Sequence, residues 1–238
     1  MIQNNSGFLN SIPVVTKNII IINIIVWIAS ITLPRVGIDL VGMFGLHLLS
    51  ADDFNAIQLV TYMFLHDTSS FTHVFFNMFA VYMFGRILES VWGPKRFLTF
   101  YFVTGIGAGL IQQAAWYYDL WDVVVASQSM VNIGSAIIPK GEFFNLFITV
   151  GASGAVFGIL LAFGMLFPNT SLYLMFLPIP IKAKYFVVFY GLAELFLGVA
   201  NFSGDKVAHF AHLGGMLFGF FMIRYWKKKD QNNGRYFY

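Results

Sequence analysis

The stretch Gly151-Ala152-Ser153-Gly154-Ala155-Val156-Phe157-Gly158-Ile159-Leu160-Leu161-Ala162-Phe163-Gly164-Met165-Leu166-Phe167 runs straight into Pro168-Asn169. It carries no charge and has small residues gathered at one end. Read as a helix from Ser153 to Phe167, it is about 22 Å long, short of the roughly 30 Å hydrocarbon core of a bilayer. With its far end at one membrane face, Ser153 lies roughly 8 Å below the other. A helix N-terminus at that depth presents unpaired N–H groups and a positive dipole end, which suit a developing oxyanion. The same residues would serve equally as a packing motif, with Gly154 and Gly158 as a small-xxx-small pair.

The rest of the chain supplies the membrane context. Of 238 residues, 58% are hydrophobic and 11% charged, with 28 Phe and no Cys; the mean hydropathy is +0.73. A soluble domain is nearer one quarter charged. This composition excludes a disordered chain, a soluble nucleic-acid binder and an ordinary cytosolic enzyme. The missing cysteines exclude a disulfide scaffold, a thiolate zinc site and a Cys nucleophile. Apolar stretches at roughly 18–33, 72–91, 97–118, 152–167, 183–201 and 207–226 predict an all-α polytopic membrane bundle of six helices. Residues 1–238 are read as one membrane-embedded domain. The first stretch lacks a small-residue cleavage pattern and is read as a retained span.

Six spans put both termini on one side. That side receives eleven of the 14 Lys and Arg, leaving Arg35, Lys140 and Lys206 on the other. The bias predicts cytoplasmic termini. Two long external connections, 34–71 and 119–151, contain apolar pieces such as Phe143-Phe144-Asn145-Leu146-Phe147 and are expected to be structured, lying in the interface or dipping into it.

Two further polar clusters stand out, because such residues within a span are costly and therefore functional candidates. In Ala208-His209-Phe210-Ala211-His212-Leu213-Gly214-Gly215-Met216-Leu217-Phe218-Gly219, His212 falls about 9 Å deep, the depth reached independently for Ser153. Gly215 and Gly219, one turn apart, would let this helix press on the fourth, as imidazole must to touch a serine hydroxyl. His209 and His212 also share a face, so a metal pair is a rival reading. The other cluster is His66 with His73-Val74-Phe75-Phe76-Asn77. His73 and Asn77 point the same way and can both donate to an anionic oxygen, or alternatively bond between helices. Together the clusters hold a nucleophile, a base, side-chain donors and helix amides, the parts of covalent acyl transfer.

The chain resembles the rhomboid intramembrane serine proteases in their six-helix form. The resemblance runs through Thr61-Tyr62-Met63-Phe64-Leu65-His66, His73-xxx-Asn77, Glu89-xx-Trp92-Gly93 and Gly105-Ile106-Gly107-Ala108-Gly109. It continues in Gly151-Ala152-Ser153-Gly154 and Ala211-His212-xx-Gly215-xxx-Gly219. It implies that Ser153 is the nucleophile and His212 the general base. It implies an oxyanion hole lined by His73, Asn77 and the Ser153 N–H, with Gly151 in support and Phe157 packed on the catalytic histidine. Where the family often has a Trp-Arg pair in the first external loop, this chain has Ile57-Gln58. Ala155 also distinguishes the serine motif from the nucleophile elbow of soluble hydrolases.

The expected activity is cleavage of transmembrane segments of membrane-protein substrates near the extracytoplasmic side, through a Ser-His dyad and an acyl-enzyme. No acid is expected within reach of His212: Asp205 lies towards water, and Glu194 is placed near the middle of the fifth span. No cofactor or metal is expected, since His-Glu-xx-His is absent and no carboxylate is foreseen near the two histidines. The expected partners are single-pass or polytopic membrane proteins and the lipid bilayer, without nucleic acid; the sequence carries no signal for an oligomeric state. The minimal six-span form points to a prokaryotic inner membrane. The alternative is a catalytically silent rhomboid-like protein that binds and routes membrane clients.

Overall fold

A computed structural model describes residues 11–174, 177–200 and 207–233. Among them, helix dominates, and the strands form only two-stranded pairs, with no barrel. The long helices are α1 (Val14–Thr32), α2 (Phe71–Trp92), α3 (Pro94–Asp119), α4 (Ser153–Leu166), α5 (Ala183–Ala200) and α6 (His209–Asn232). A π-helical segment, Val81–Gly85, interrupts α2. Gly93 at φ 80° breaks the chain after α2, and Pro94 opens α3, where its missing N–H costs nothing.

Among the described residues, four segments are long and apolar enough to cross a membrane: Val14–Val36, Phe71–Trp92, Pro94–Asp119 and Ala183–Ala200. The six-span expectation therefore rests on the remaining two helices. Helix α4 is apolar but has 14 residues, and α6 is long enough but carries two histidines and a basic end. Ile21, Ile22, Ile24, Ile25 and Ile28 on α1, and Val188, Phe189, Leu192 and Phe196 on α5, are exposed. Such apolar outer faces suit hydrocarbon rather than water.

Short α4 is the inner helix. Nearly every residue from Gly154 to Gly164 is buried, against α2, α3, α5 and α6. Small residues permit this. A Cβ on Gly215 of α6 would lie 1.8 Å from the carbonyl oxygen of Gly154, and one on Gly154 would lie 2.3 Å from the Ala108 Cβ of α3. Gly158 abuts Thr104, and Gly219 meets Phe100 and the Gly158 Cα. Helices α3, α4 and α6 thus meet nearly backbone to backbone, where van der Waals contact drives packing in lipid.

At the end of the bundle away from Ser153, Glu89 caps a different helix. Its carboxylate accepts from the Val15 N–H (2.9 Å), the Thr16 N–H (2.7 Å) and the Thr16 hydroxyl (2.7 Å). It sits at the N-terminus of α1, where donors and dipole favour negative charge. Trp92 packs edge-on to Trp226 of α6, and Arg96 makes a bidentate pair with Asp230 at 2.7 and 2.8 Å.

The two long connections lie against one another over the opposite end. Strand β1 (Leu46–His47) pairs antiparallel with β4 (Ile148–Thr149); the hairpin β2 (Met130–Asn132) and β3 (Ile137–Pro139) lies between them in sequence. A further hairpin, β5 (Ser171–Leu174) and β6 (Leu177–Lys182), joins α4 to α5. Leu48, Ala51 and Phe144 form a small core there, covered by Phe54, Trp116, Phe143 and Phe147. Gln113 of α3 fastens it, donating to the His47 carbonyl at 2.6 Å and accepting from the Leu49 N–H at 2.9 Å. Gln58 does similar service. It is 1% exposed, donates to the carbonyls of Met43 and Asp53, and accepts from the His47 N–H. The first connection is therefore anchored through Gln58 to its own main chain.

Candidate active site

Ser153 opens α4, and the first intrahelical bond runs from the Val156 N–H to the Ala152 carbonyl. The N–H groups of residues 153–155 therefore have no acceptor within the helix. The turn before the serine is fixed from outside. The Gly151 N–H donates to the Tyr62 carbonyl at 2.9 Å, and the Tyr62 hydroxyl donates to the Gly105 carbonyl at 2.7 Å. Gly151 has φ 136°, a left-handed value, and a Cβ there would lie 3.0 Å from His73 Nε2. Both reasons demand glycine.

His212 of α6 reaches the serine, with Nε2 2.8 Å from Ser153 Oγ. The Gly215–Gly154 contact one turn away is what brings the two helices that close. Phe157, one turn after Ser153, lies parallel to the imidazole with centroids 4.2 Å apart and an interplanar angle of 7°. Tyr190 of α5 also stacks on Phe157. The base is thus confined to the plane from which it can accept the serine proton. His212 is buried, while Ser153 keeps partial exposure.

His73 of α2 faces the same small space. Its Nδ1 accepts from the Asp67 N–H at 3.2 Å, so the neutral ring carries its proton on Nε2. That nitrogen lies beside Gly151, and Ser153 Oγ is 3.5 Å from the same Gly151 Cβ position. His73 is therefore an N–H donor aimed at the side of the nucleophile. Asn77 is buried, and its amide donates to the His73 carbonyl at 2.8 Å. One amide hydrogen is spent on its own helix, and one remains for an incoming oxygen. His66 sits edge-on to His73 at 5.1 Å; burial and the neighbouring His73 push it down to about 3, with the Phe64 carbonyl opposing.

Two expectations are corrected. An acid does reach His212, and a carboxylate does lie near the histidine pair. Glu194 Oε2 of α5 is 2.8 Å from His212 Nδ1 and 2.6 Å from His209 Nδ1. Glu194 is six residues before Ala200 at the end of α5, about 9 Å along the axis. That depth is close to the depth of His212, but depth alone does not say which way the carboxylate faces. The three residues are buried, and their ligand atoms lie within 4.8 Å of one another, so they could also hold a metal ion. The polar stretch Asn201-Phe202-Ser203-Gly204-Asp205, by its sequence a candidate cap over the serine, lies outside the described residues.

These features occur within residues that match a rhomboid domain, positions 53–229. The chain belongs to the rhomboid family. It is 26% identical over 189 residues to rhomboid protein 1, mitochondrial, of Saccharomyces cerevisiae, covering 76% of this chain and 47% of that protein. It is 28% identical over 164 residues to rhomboid protease AarA of Providencia stuartii, covering 66% and 51%. It is 27% identical over 167 residues to the putative rhomboid protease YdcA of Bacillus subtilis, covering 69% and 64%. This rhomboid spans about half the length of the curated relatives it matches.

Proposed function

We propose that this rhomboid is an intramembrane serine endopeptidase, with Ser153 as nucleophile and His212 as general base. The observation that carries the reading is the 2.8 Å contact between Ser153 Oγ and His212 Nε2 at the N-terminus of a buried, shortened helix. The Ser153 hydroxyl attacks a substrate carbonyl while its proton passes to His212 Nε2. The resulting oxyanion is met by the N–H of Ser153, by His73 Nε2–H and by the remaining amide hydrogen of Asn77. The imidazolium then protonates the leaving amine, and water, activated by the same base, hydrolyses the acyl-enzyme.

The membrane frame belongs to the same reading. Residues 1–238 form one unit of six spans in a prokaryotic inner membrane, with both termini cytoplasmic and Ser153 near the extracytoplasmic surface. A substrate helix must release backbone bonds before its carbonyl can be attacked. Substrates are therefore membrane proteins whose helix unwinds readily at Gly, Pro or polar residues, with small side chains at the cleaved position. Helix α5, apolar on its outer face, is the lateral gate.

The test is incubation of the purified, detergent-solubilised protein with a generic transmembrane substrate, comparing wild type, Ser153→Ala, His212→Ala and His209→Ala, with and without chelator. Wild type is expected to cleave, and Ser153→Ala to fall by about 10⁴-fold or more. Cleavage that survives Ser153→Ala would overturn the assignment. A wild type that binds the substrate without cutting it would move the chain to the silent, client-routing class.

A further inference from the structure

We propose that Glu194 is a positioning residue for His212, so that this rhomboid works with a serine–histidine–carboxylate chain drawn from three helices, with His209 bracing the carboxylate. The inference rests on the serine-protease reading and deepens it.

The contacts form an unbroken line. Ser153 Oγ meets His212 Nε2 at 2.8 Å, His212 Nδ1 meets Glu194 Oε2 at 2.8 Å, and the same oxygen meets His209 Nδ1 at 2.6 Å. A carboxylate can only accept, so His212 must carry a proton on Nδ1. That leaves Nε2 with its lone pair directed at the serine, as a general base requires. Without Glu194 a neutral His212 is free to place its proton on Nε2, where it is useless for deprotonating Ser153. When Nε2 takes the serine proton, Nδ1–H stays in place and the carboxylate faces the new positive charge. No proton passes to Glu194.

His209 completes the arrangement by donating to the oxygen that His212 uses, which limits the freedom of the Glu194 side chain. Glu194 is 8% exposed, on a helix whose other side faces outward through Leu192, Leu195 and Phe196. An acidic residue in such a setting is costly unless partnered, and its partners here are the catalytic imidazole and that imidazole's neighbour. The titratable groups around His212 are Glu194 and Tyr190 from α5, His209 from its own helix and His73 from α2. Glu194 is the acid among the described groups that touch it.

The experiment compares wild type, Glu194→Gln, Glu194→Asp and His209→Gln as full-length detergent-solubilised proteins. Each is scored for thermal stability, for kcat and KM on a transmembrane substrate, and for the rate at which a fluorophosphonate labels Ser153. Glu194→Gln is expected to lower kcat and labelling by about 10²–10³-fold, with KM within about threefold, since the side chain touches the base and not the substrate. A lowered kcat beside a steady KM, with slower labelling of a protein that melts normally, separates a lost positioning contact from a general loss of structure. Glu194→Asp should recover part of the loss, and His209→Gln should cost about tenfold.

A folded Glu194→Gln within threefold of wild type in both kcat and labelling rate would overturn the proposal and leave a dyad. Wild-type activity lost to a chelator and restored by Zn²⁺ would overturn it in favour of a metal site. Labelling reads the base even where the chosen substrate is not cut. Wild-type protein that neither cleaves nor labels would defeat the serine-protease reading as well, whereas a selective failure of the Glu194 variants to differ defeats this inference alone.

Discussion

This rhomboid buries two glutamates, one near each end of the bundle, and they are satisfied by opposite kinds of partner. Glu89 accepts from two backbone N–H groups and a threonine hydroxyl. None of those donors titrates in the physiological range, so the contact is fixed and can only hold α1 in place. Glu194 accepts from two imidazoles, side chains whose second ring nitrogen can take up or give a proton. Equal burial therefore does not mean equal purpose. What separates a clamp from working chemistry is whether the donors can alter their protonation. At the same end of the bundle Trp92 packs on Trp226 and Arg96 pairs with Asp230, which are fixed contacts as well. The second is one imidazole away from Ser153, through His212.

The contrast can be broken from either end. The largest effect is expected from His73→Ala, which removes an oxyanion donor and should reduce kcat by about 10²–10³-fold with little change in thermal stability. Unaltered kcat would dismiss His73 from that role. Gly215→Ala should come next. Its methyl would fall 1.8 Å from the Gly154 oxygen, forcing α6 off α4 at a cost of about 1–3 kcal/mol and slowing Ser153 labelling. Gly191→Ala, which meets only the flexible end of Met216 at 3.1 Å, serves as its comparison and should melt near wild type. Glu89→Gln should cost about 1.5–3 kcal/mol in an unfolding measurement, since charge-assisted bonds are lost. Its turnover per folded molecule should stay at the wild-type level. A fall in turnover matching that of Glu194→Gln would erase the distinction between the two acids.

The last effect is graded with pH. His66 is held near 3 in the folded protein against about 6.5 in an unfolded chain, so the unfolded state binds the extra proton between those values. Stability is intact above about pH 6.5 and declines as pH falls towards 3, by at most about 1.4 kcal/mol per unit from this group. Thermal melts between pH 7 and 4 should show a shallower decline in His66→Asn. Parallel curves would remove His66 as the source.

The meeting of Ser153 and His212 was legible because both positions follow from counting 1.5 Å steps inward from helix ends, and because Gly215 marked a close approach. The clash a Cβ would make there agrees with that spacing. Glu194 was misjudged for a physical reason. A carboxylate's reach depends on which way its helix is rotated, and α5 gave no internal clue to that rotation, being apolar almost all round. The corrective lay in the rule that a buried acid must have donors, and His209 was the unexplained donor at hand. The anchoring by Gln58 was hidden for a similar reason. Its three bonds go to main-chain groups of Met43, His47 and Asp53, and main-chain partners leave no mark in the identity of those residues. The pairing of β1 with β4 joins residues about a hundred positions apart in connections without a repeating pattern.

The Glu89 clamp also bears on where this molecule can be cut. Its donors, Val15 and Thr16, lie upstream of residue 53, where the match to the family begins. A fragment starting at that boundary would keep the acid and discard everything that neutralises it, and would lose the strand Leu46–His47 as well. Truncations meant to isolate the shared portion should therefore begin ahead of Val14; otherwise they leave a buried carboxylate without its donors.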